Sequence, residues 1–210
     1  MRRHRLVFSK GDPVRYISHL DLMRTWERTL RRAGLRLAHS QGFNPRPRLI
    51  FAAPLPVGIT SSAEIVDVII EDDLDAAAFR ARIEPALPPG IAVCQVDEVP
   101  LDSPPVMASV LSSDYLADLS VPVDQAAVRA FLTSDSVPYQ RQRKGGTKAG
   151  DMRQVVLDLW PAGECQLGMR LRLDQEGLAV RPSEVLAALG LDAVRVHRTA
   201  LALKEGVGAA

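Results

Sequence analysis

The alternation of apolar and polar residues over the first hundred positions predicts four strands and two helices. Apolar residues at helical spacing begin after Ser18, which has the spacing of a capping box with Asp21, and they end at Gly34. The predicted segments are a strand at 4–9, a helix at 21–33, strands at 48–53 and 63–70, a helix at 75–87 and a strand at 91–99.

The second half repeats this order less regularly. A linker rich in proline and serine is predicted at 101–113, and a frayed tail at 206–210. Between them the predicted segments are a strand at 115–121, a helix at 124–132, a strand end at 137–142, strands at 152–159 and 165–173, a helix at 182–189 and a strand at 194–202. The sequence therefore predicts an α+β protein of two tandem ferredoxin-like (β-α-β-β-α-β) units, over 1–100 and 114–205.

Charge is unevenly distributed, although the chain as a whole carries a net charge of only +1. Residues 1–50 hold 12 Lys/Arg and 3 Asp/Glu (+9), residues 51–140 hold 3 and 14 (−11), and residues 141–210 hold 11 and 8 (+3). Such asymmetry favours an anionic partner, of which nucleic acid is the commonest. The alternative is that the acidic middle neutralises the basic head within the fold.

Composition excludes several other classes. No apolar run approaches the roughly 20 residues of a membrane span, and the basic N-terminus lacks the apolar core of a signal peptide. Cys94 and Cys165 are far apart and lie in apolar contexts, which is typical of buried thiols in a reducing compartment. Without a CxxC or HxxxH spacing we expect no metal site. The sequence predicts a cytoplasmic protein that does not bind membranes.

The first helix carries an excess of positive charge. Its arginines have one obvious acid nearby, Glu27, whereas a helix built for internal pairing would alternate signs. An external phosphate is therefore favoured over a merely solvated face, since a guanidinium binds two oxygens at once. The arginines concerned are Arg24, Arg28, Arg31, Arg32 and Arg36.

The loop at 39–47, HSQGFNPRP, is polar, stiff and aromatic. Gly42 permits positive φ, and Pro45 forces Asn44 into an extended conformation. The sequence predicts that Phe43 stacks on a base, that His39, Gln41 and Asn44 bond base edges, and that Arg46 and Arg48 contact phosphate. Lys10 is a further candidate for contact with RNA or another ligand, including its phosphate. The alternative is that Phe43 folds back into the core.

A second basic cluster lies at 141–153, RQRKGGTKAGDMR. Its glycines are typical of a flexible exposed hairpin. Its cations also suit an arm that follows a nucleic-acid backbone, and the candidate contacts are Arg143, Lys144 and Lys148.

Candidates for acid–base catalysis are few. Tyr16, His19 and Lys10 are the clustered candidates, and Tyr16 and His19 lie near the start of the first helix, where an anion is favoured. A histidine beside an N-cap is more often a local capping partner than a catalyst. No Ser–His–Asp, paired-carboxylate or metal-ligand spacing accompanies them.

Three stretches resemble a bacterial family of radical-SAM-associated proteins of unknown function, found free-standing or fused behind a radical SAM domain. They are FSKGDPVRYISHLDLMRTWERTLRRAGL, SQGFNPRPRLIFAAPLPVGITSSAE and DMRQVVLDL. The resemblance implies a radical SAM protein as partner, in a setting associated with RNA. This chain lacks the CxxxCxxC motif of such enzymes. The iron–sulfur cluster and S-adenosylmethionine are therefore expected in the partner, and no cofactor is expected in this chain.

The leading hypothesis is an accessory protein, not itself an enzyme, that binds RNA or presents a substrate to a radical SAM enzyme in RNA modification or processing. One alternative is a metal-independent enzyme that cleaves or modifies RNA with His19 and Tyr16. The other is a protein–protein adaptor whose basic face docks an acidic partner.

Overall fold

The computed structural model describes residues 1–143, 146–173 and 180–204, apart from the side chains of Arg143 and Lys148. Within these residues the chain is an α+β protein that divides into two compact units. The first comprises Met1–Val110 together with Leu203 and Lys204, and the second comprises Leu111–Ala202. The tail predicted at 206–210 lies outside the described residues. None of the helices described is long and apolar enough to cross a membrane.

The elements of the first unit are β1 (Arg2–Lys10), α1 (His19–Arg32), β2 (Leu49–Phe51), β3 (Thr60–Ile70), α2 (Ala76–Ile83) and β4 (Ile91–Val99). The strands pair antiparallel in the order β4-β1-β3-β2. A 3₁₀ turn, Glu84–Ala86, follows α2 and contains Pro85, which has no backbone N–H to continue an α-helix. The helix predicted at 75–87 is therefore shorter than its apolar pattern indicated.

Helix α1 is held on the sheet by its apolar face. Trp26 and Leu30 are buried there, and the Trp26 ring meets Phe8 of β1 edge-on, with 4.9 Å between ring centroids. At the other end the Ser18 Oγ accepts a hydrogen bond from the backbone N–H of Asp21 at 3.2 Å, so the predicted cap is confirmed. This anchoring leaves the arginine-bearing side of the helix at the surface.

The remaining elements are β5 (Val110–Leu119), α3 (Gln125–Thr133), β6 (Pro138–Arg143), β7 (Gly146–Asp151), β8 (Val156–Gly163), β9 (Gln166–Arg172), α4 (Pro182–Ala188) and β10 (Ala193–Leu203). Strands β10, β5, β9 and β8 lie side by side in that order. Strands β6 and β7 pair only with each other, as a separate two-stranded antiparallel sheet.

The prediction of two tandem ferredoxin-like units is wrong. The second half has the order β-α-β-β-β-β-α-β, with six strands where the prediction had four. The difference arises at 138–151, which was predicted to be a strand end followed by a basic, glycine-rich turn but forms the β6–β7 hairpin. This segment has no apolar alternation to mark it, and backbone hydrogen bonds pair its strands without one. Strand β5 also begins at Val110, inside the predicted linker.

Candidate nucleic-acid interface

The loop before β2 is fixed at both ends on β3. The Ala38 N–H donates to the Ile69 carbonyl at 3.0 Å, and the Ile69 N–H donates to the Arg48 carbonyl at 3.2 Å. Ala38 and Arg48 are also joined directly, because the Arg48 N–H donates to the Ala38 carbonyl at 2.8 Å. The loop therefore starts and ends at one point of the sheet.

Above this point the chain forms a narrow neck. His39 and Pro47 face each other in an antiparallel bridge, and the Ser40 N–H donates to the Arg46 carbonyl at 2.8 Å. The Ser40 Oγ in turn accepts from the Arg46 N–H at 3.0 Å. Residues 41–45 form the tip beyond the neck, and every one of them is exposed.

Phe43 projects from the tip into solvent. Its relative exposure is 106%, so it does not fold back into the core. The preceding Gly42 has φ +123°, in the region that favours glycine, and a Cβ there would meet nothing within 4 Å. Glycine is therefore needed for the backbone conformation and not for space. The predicted exposure of Phe43 is confirmed, whereas base stacking stays a prediction.

Five of the polar residues predicted to bind RNA lie in this loop. Within the described residues, the guanidinium groups of Arg46 and Arg48 form no ion pair, which leaves their charges available to an external anion. These five, His39, Gln41, Asn44, Arg46 and Arg48, are all exposed.

The arginines of α1 are better paired than the sequence indicated. Arg24 lies 3.2 Å from Asp21 and Arg31 lies 2.8 Å from Glu27. These pairs are largely exposed, and such pairs contribute little, so a phosphate could compete for either arginine. In the described part of the chain Arg28 has no carboxylate partner.

The last two arginines of this set bind other elements. Arg36, just beyond α1, donates through its backbone N–H to Asp72 at 2.7 Å and through Nε at 3.0 Å. Arg32 donates through Nη2 to the Ala86 carbonyl at 2.7 Å. The premise that Glu27 is the one acid available to these arginines is therefore wrong, since Asp72 is remote in sequence and adjacent in space.

Lys10 is not a surface residue. It is only 1% exposed, and its Nζ donates to the carbonyls of Arg15 at 3.0 Å and Ile59 at 3.4 Å. The prediction that Lys10 contacts phosphate is therefore wrong. It ends β1 opposite Ser61, and the neighbouring backbone folds over its side chain.

The predicted basic arm corresponds to the β6–β7 hairpin. Arg141 is held by Glu184 at the start of α4, with 2.7 Å between Nε and Oε1, and this bond raises the pKa of Arg141. The backbones of Arg143 and Lys148 belong to the hairpin strands. Their side chains, and the whole of Lys144, lie outside the described residues.

His19 and Tyr16 have different surroundings. The His19 ring meets Phe51 edge-on at 5.2 Å, and burial lowers the pKa of His19 against the opposing effect of the Glu64 carboxylate. Tyr16 is exposed, with the Arg15 guanidinium 4.8 Å above its ring. Glu64 is itself buried, with 2% of its surface exposed. Its position inside the apolar run of β3 was the available signal that it is buried.

A buried charge cluster lies on the same sheet. The fully buried Asp67 accepts hydrogen bonds from Arg5 Nε at 2.7 Å and Arg3 Nη2 at 2.6 Å. Arg3 also donates to the carbonyls of Ser103 at 2.6 Å and Pro104 at 2.8 Å. The cluster fastens residues 103–104 to β1, and we assign it a structural role. No group of three His, Cys, Asp or Glu residues that could hold a metal ion occurs within the described ranges.

The fold and this surface define an α+β protein that carries a rigid, exposed aromatic loop. The chain belongs to a family described as "Uncharacterized protein conserved in bacteria (DUF2344)", whose profile matches residues 3–182. A search of curated proteins gave no match.

Two solved structures are weakly similar. A crystal structure of a pseudouridylate synthase has 14% identity and a TM-score of 0.41, and the match covers 98% of this chain and 67% of that one. A crystal structure of an unknown protein from Galdieria sulphuraria has 12% identity and a TM-score of 0.30, covering 94% of this chain and 96% of that one. Both scores are too low to carry an argument about fold or function.

Proposed function

We propose that this protein binds single-stranded RNA through the loop at 39–48 and presents it to a radical SAM enzyme. The observation that supports the proposal most is the complete exposure of Phe43 on a hydrogen-bonded neck. Burying a phenylalanine side chain is worth about 1.5–3 kcal/mol. The fold forgoes this stabilisation and fixes the chain on either side of the ring, which leaves the whole ring accessible to a ligand.

The chemistry around the ring favours RNA over an apolar partner. A phenylalanine offers a face on which any base can stack, and guanidinium groups such as Arg46 and Arg48 suit phosphate. The exposed His39, Gln41 and Asn44 can donate to and accept from the edges of an unpaired base. An apolar protein partner would instead favour a wider apolar surface than one ring among polar neighbours.

The role of the partner rests on the resemblance of the quoted motifs to radical-SAM-associated proteins. In the proposed complex the partner holds the iron–sulfur cluster and S-adenosylmethionine, and this chain supplies RNA affinity. Its own residues bind and orient the strand and carry out no chemical step.

The test is a fluorescence anisotropy titration of labelled single-stranded and duplex RNA with the wild-type protein and Phe43→Ala. Loss of one stacked base costs about 1–3 kcal/mol, so Kd for the single strand should rise roughly 5- to 150-fold with no change in the melting temperature. Leu20→Ala, which truncates another exposed apolar residue of the same unit, should leave Kd unchanged.

An unchanged Kd in Phe43→Ala would refute the stacking role. Copurification with the radical SAM protein separates the remaining alternatives. If the partner is lost from Phe43→Ala while RNA affinity is unchanged, the loop is a protein-docking element and the adaptor hypothesis holds.

A further inference from the structure

A groove opens where α1 ends against the turn that follows α2. Its volume is about 570 Å³, which lies within the range of small-ligand pockets. The lining consists of two arginines, Arg32 and Arg82, and a mainly apolar wall that includes Leu87, Pro88 and Pro89. The two guanidinium groups come from different helices and approach the same space.

Among the described residues neither arginine forms an ion pair. Arg32 bonds two uncharged oxygens, the Ala86 carbonyl at 2.7 Å and the Thr29 hydroxyl at 3.5 Å. In the part of the chain that the structure describes, Arg82 forms no ion pair. Arg82 does have an electrostatic effect on Asp72. The pKa of Asp72 is lowered chiefly by the hydrogen bond from the backbone N–H of Arg36, and Arg82 contributes least.

We propose that Arg32 and Arg82 form a phosphate-binding groove, which contacts the backbone of the RNA strand. Two arginine forks supply several N–H donors to one tetrahedral anion, and no Asp or Glu lines the groove to repel it. The proposal deepens the proposed function, because it adds a second contact for the same ligand. The groove itself requires only a phosphate group.

The first experiment uses inorganic phosphate, with the melting temperature followed at constant ionic strength against sodium chloride. Phosphate should raise the melting temperature of the wild type more than chloride does, since a ligand of the folded state stabilises it. Arg82→Ala and Arg32→Ala should each raise the apparent Kd for phosphate about tenfold through loss of charge-assisted bonds. The Kd of Arg82→Lys for phosphate should lie between those of the wild type and Arg82→Ala, because lysine keeps the charge but lacks the planar guanidinium fork.

The matched control is Arg129→Ala, which removes an exposed arginine of α3 that lies outside the groove. It should bind phosphate as the wild type does. The proposal that the groove binds phosphate would be wrong if chloride and phosphate raised the melting temperature equally. It would also be wrong if the Kd for phosphate were unchanged in both Arg82→Ala and Arg32→Ala.

A second titration separates this proposal from the proposed function. With single-stranded RNA, Arg82→Ala should flatten the slope of log affinity against log salt by about 0.7, the value for one phosphate contact. Phe43→Ala should leave phosphate binding intact. If phosphate binds but neither the wild type nor any variant binds RNA, the phosphate-binding groove is supported and the proposed RNA-binding function is wrong. If polyglutamate displaces phosphate as well as RNA does at equal charge, the groove is a site for acidic chains and its role in RNA binding is wrong.

Discussion

At the scale of single residues, His4 shows how burial changes a titratable group. It lies on β1 with no exposed surface, and its ring stacks on Phe79 of α2 with 4.3 Å between centroids. Burial lowers the pKa of His4 from its ordinary value of 6.5, and the Glu98 carboxylate opposes this only in part. The folded protein therefore favours the neutral ring.

This gives a prediction about acid stability. Because the unfolded chain binds a proton near pH 6.5 and the folded His4 resists it, the stability present above this pH should fall as the pH is lowered toward the folded pKa. His4→Leu should make the free energy of unfolding less dependent on pH between about 6.5 and 5, measured by urea denaturation. His39→Leu, at an exposed histidine, should retain the wild-type dependence.

Predictions about single residues were correct where burial depends on neighbours in the sequence. They failed where a side chain meets a segment that is distant in the sequence. The exposure of Phe43 could be predicted, because the residues around it are polar, glycine or proline and offer it no apolar cover. The burial of Lys10 could not be predicted, because its two carbonyl acceptors belong to Arg15 and Ile59. Such acceptors leave no signature in the sequence near a lysine.

At the scale of elements, β4 is an outer strand of its sheet in the described residues, and α2 protects it. The register of β1 and β4 shifts between Val7 and Phe8, so that Cys94 is an extra residue in β4. Arg80 of α2 donates to the carbonyls of Val93 at 3.3 Å and Cys94 at 3.2 Å. The guanidinium therefore occupies acceptors that another strand could otherwise use.

We expect that Arg80→Ala increases self-association. The loss of the guanidinium leaves two strand carbonyls open to pairing with another chain, so dimers or larger species should appear at high protein concentration or on mild heating. Light scattering after size-exclusion chromatography measures this directly. Arg82→Ala lies two residues away and removes the same charge without touching β4, so it should stay as monodisperse as the wild type. Equal behaviour of the two variants would contradict the protective role.

Elements were predicted best where apolar spacing is strong. The cap and the buried face of α1 follow from Ser18 and from the helical repeat that contains Trp26. The glycines of 141–153 indicated an exposed hairpin, but its two strands were not predicted because glycine and charged residues have no period. Their backbones pair from Pro138 with Asp151 to Arg143 with Gly146. The tandem-repeat prediction failed at this segment.

At the scale of the whole molecule, much of the basic head is neutralised by the acidic middle. Arg2 binds Asp73 at 2.7 Å and also binds Glu98, while Arg3 and Arg5 share the buried Asp67. The internal neutralisation considered as an alternative therefore accounts for a large part of the charge asymmetry. The proposed RNA binding would then rest on arginines that form no ion pair among the described residues, such as Arg28, Arg46 and Arg48 of the head and Arg82 of the acidic middle.

The salt dependence of RNA binding should reflect this division. Arg28→Ala removes an arginine without a carboxylate partner among the described residues, so it should weaken binding regardless of sequence and flatten the log–log salt slope by about 0.7. Arg24→Ala removes an arginine already 3.2 Å from Asp21, so its effect should be smaller. Titrations at salt concentrations from about 50 to about 300 mM, a range that includes physiological ionic strength, measure both slopes. Equal slopes for the wild type and Arg28→Ala would exclude this face of α1 from the contact.

The closed base of the loop at 39–48 makes its tip replaceable. Ala38 and Arg48 are already joined at 2.8 Å, so the sheet is complete whatever chain lies between them. The entropy of closing a flexible loop grows only logarithmically with its length, and doubling a tip costs about 0.6 kcal/mol. Insertions at 41–45, and substitutions there other than at Gly42, can therefore change the proposed ligand contact while the rest of the molecule keeps its stability, so specificity and folding can evolve independently here.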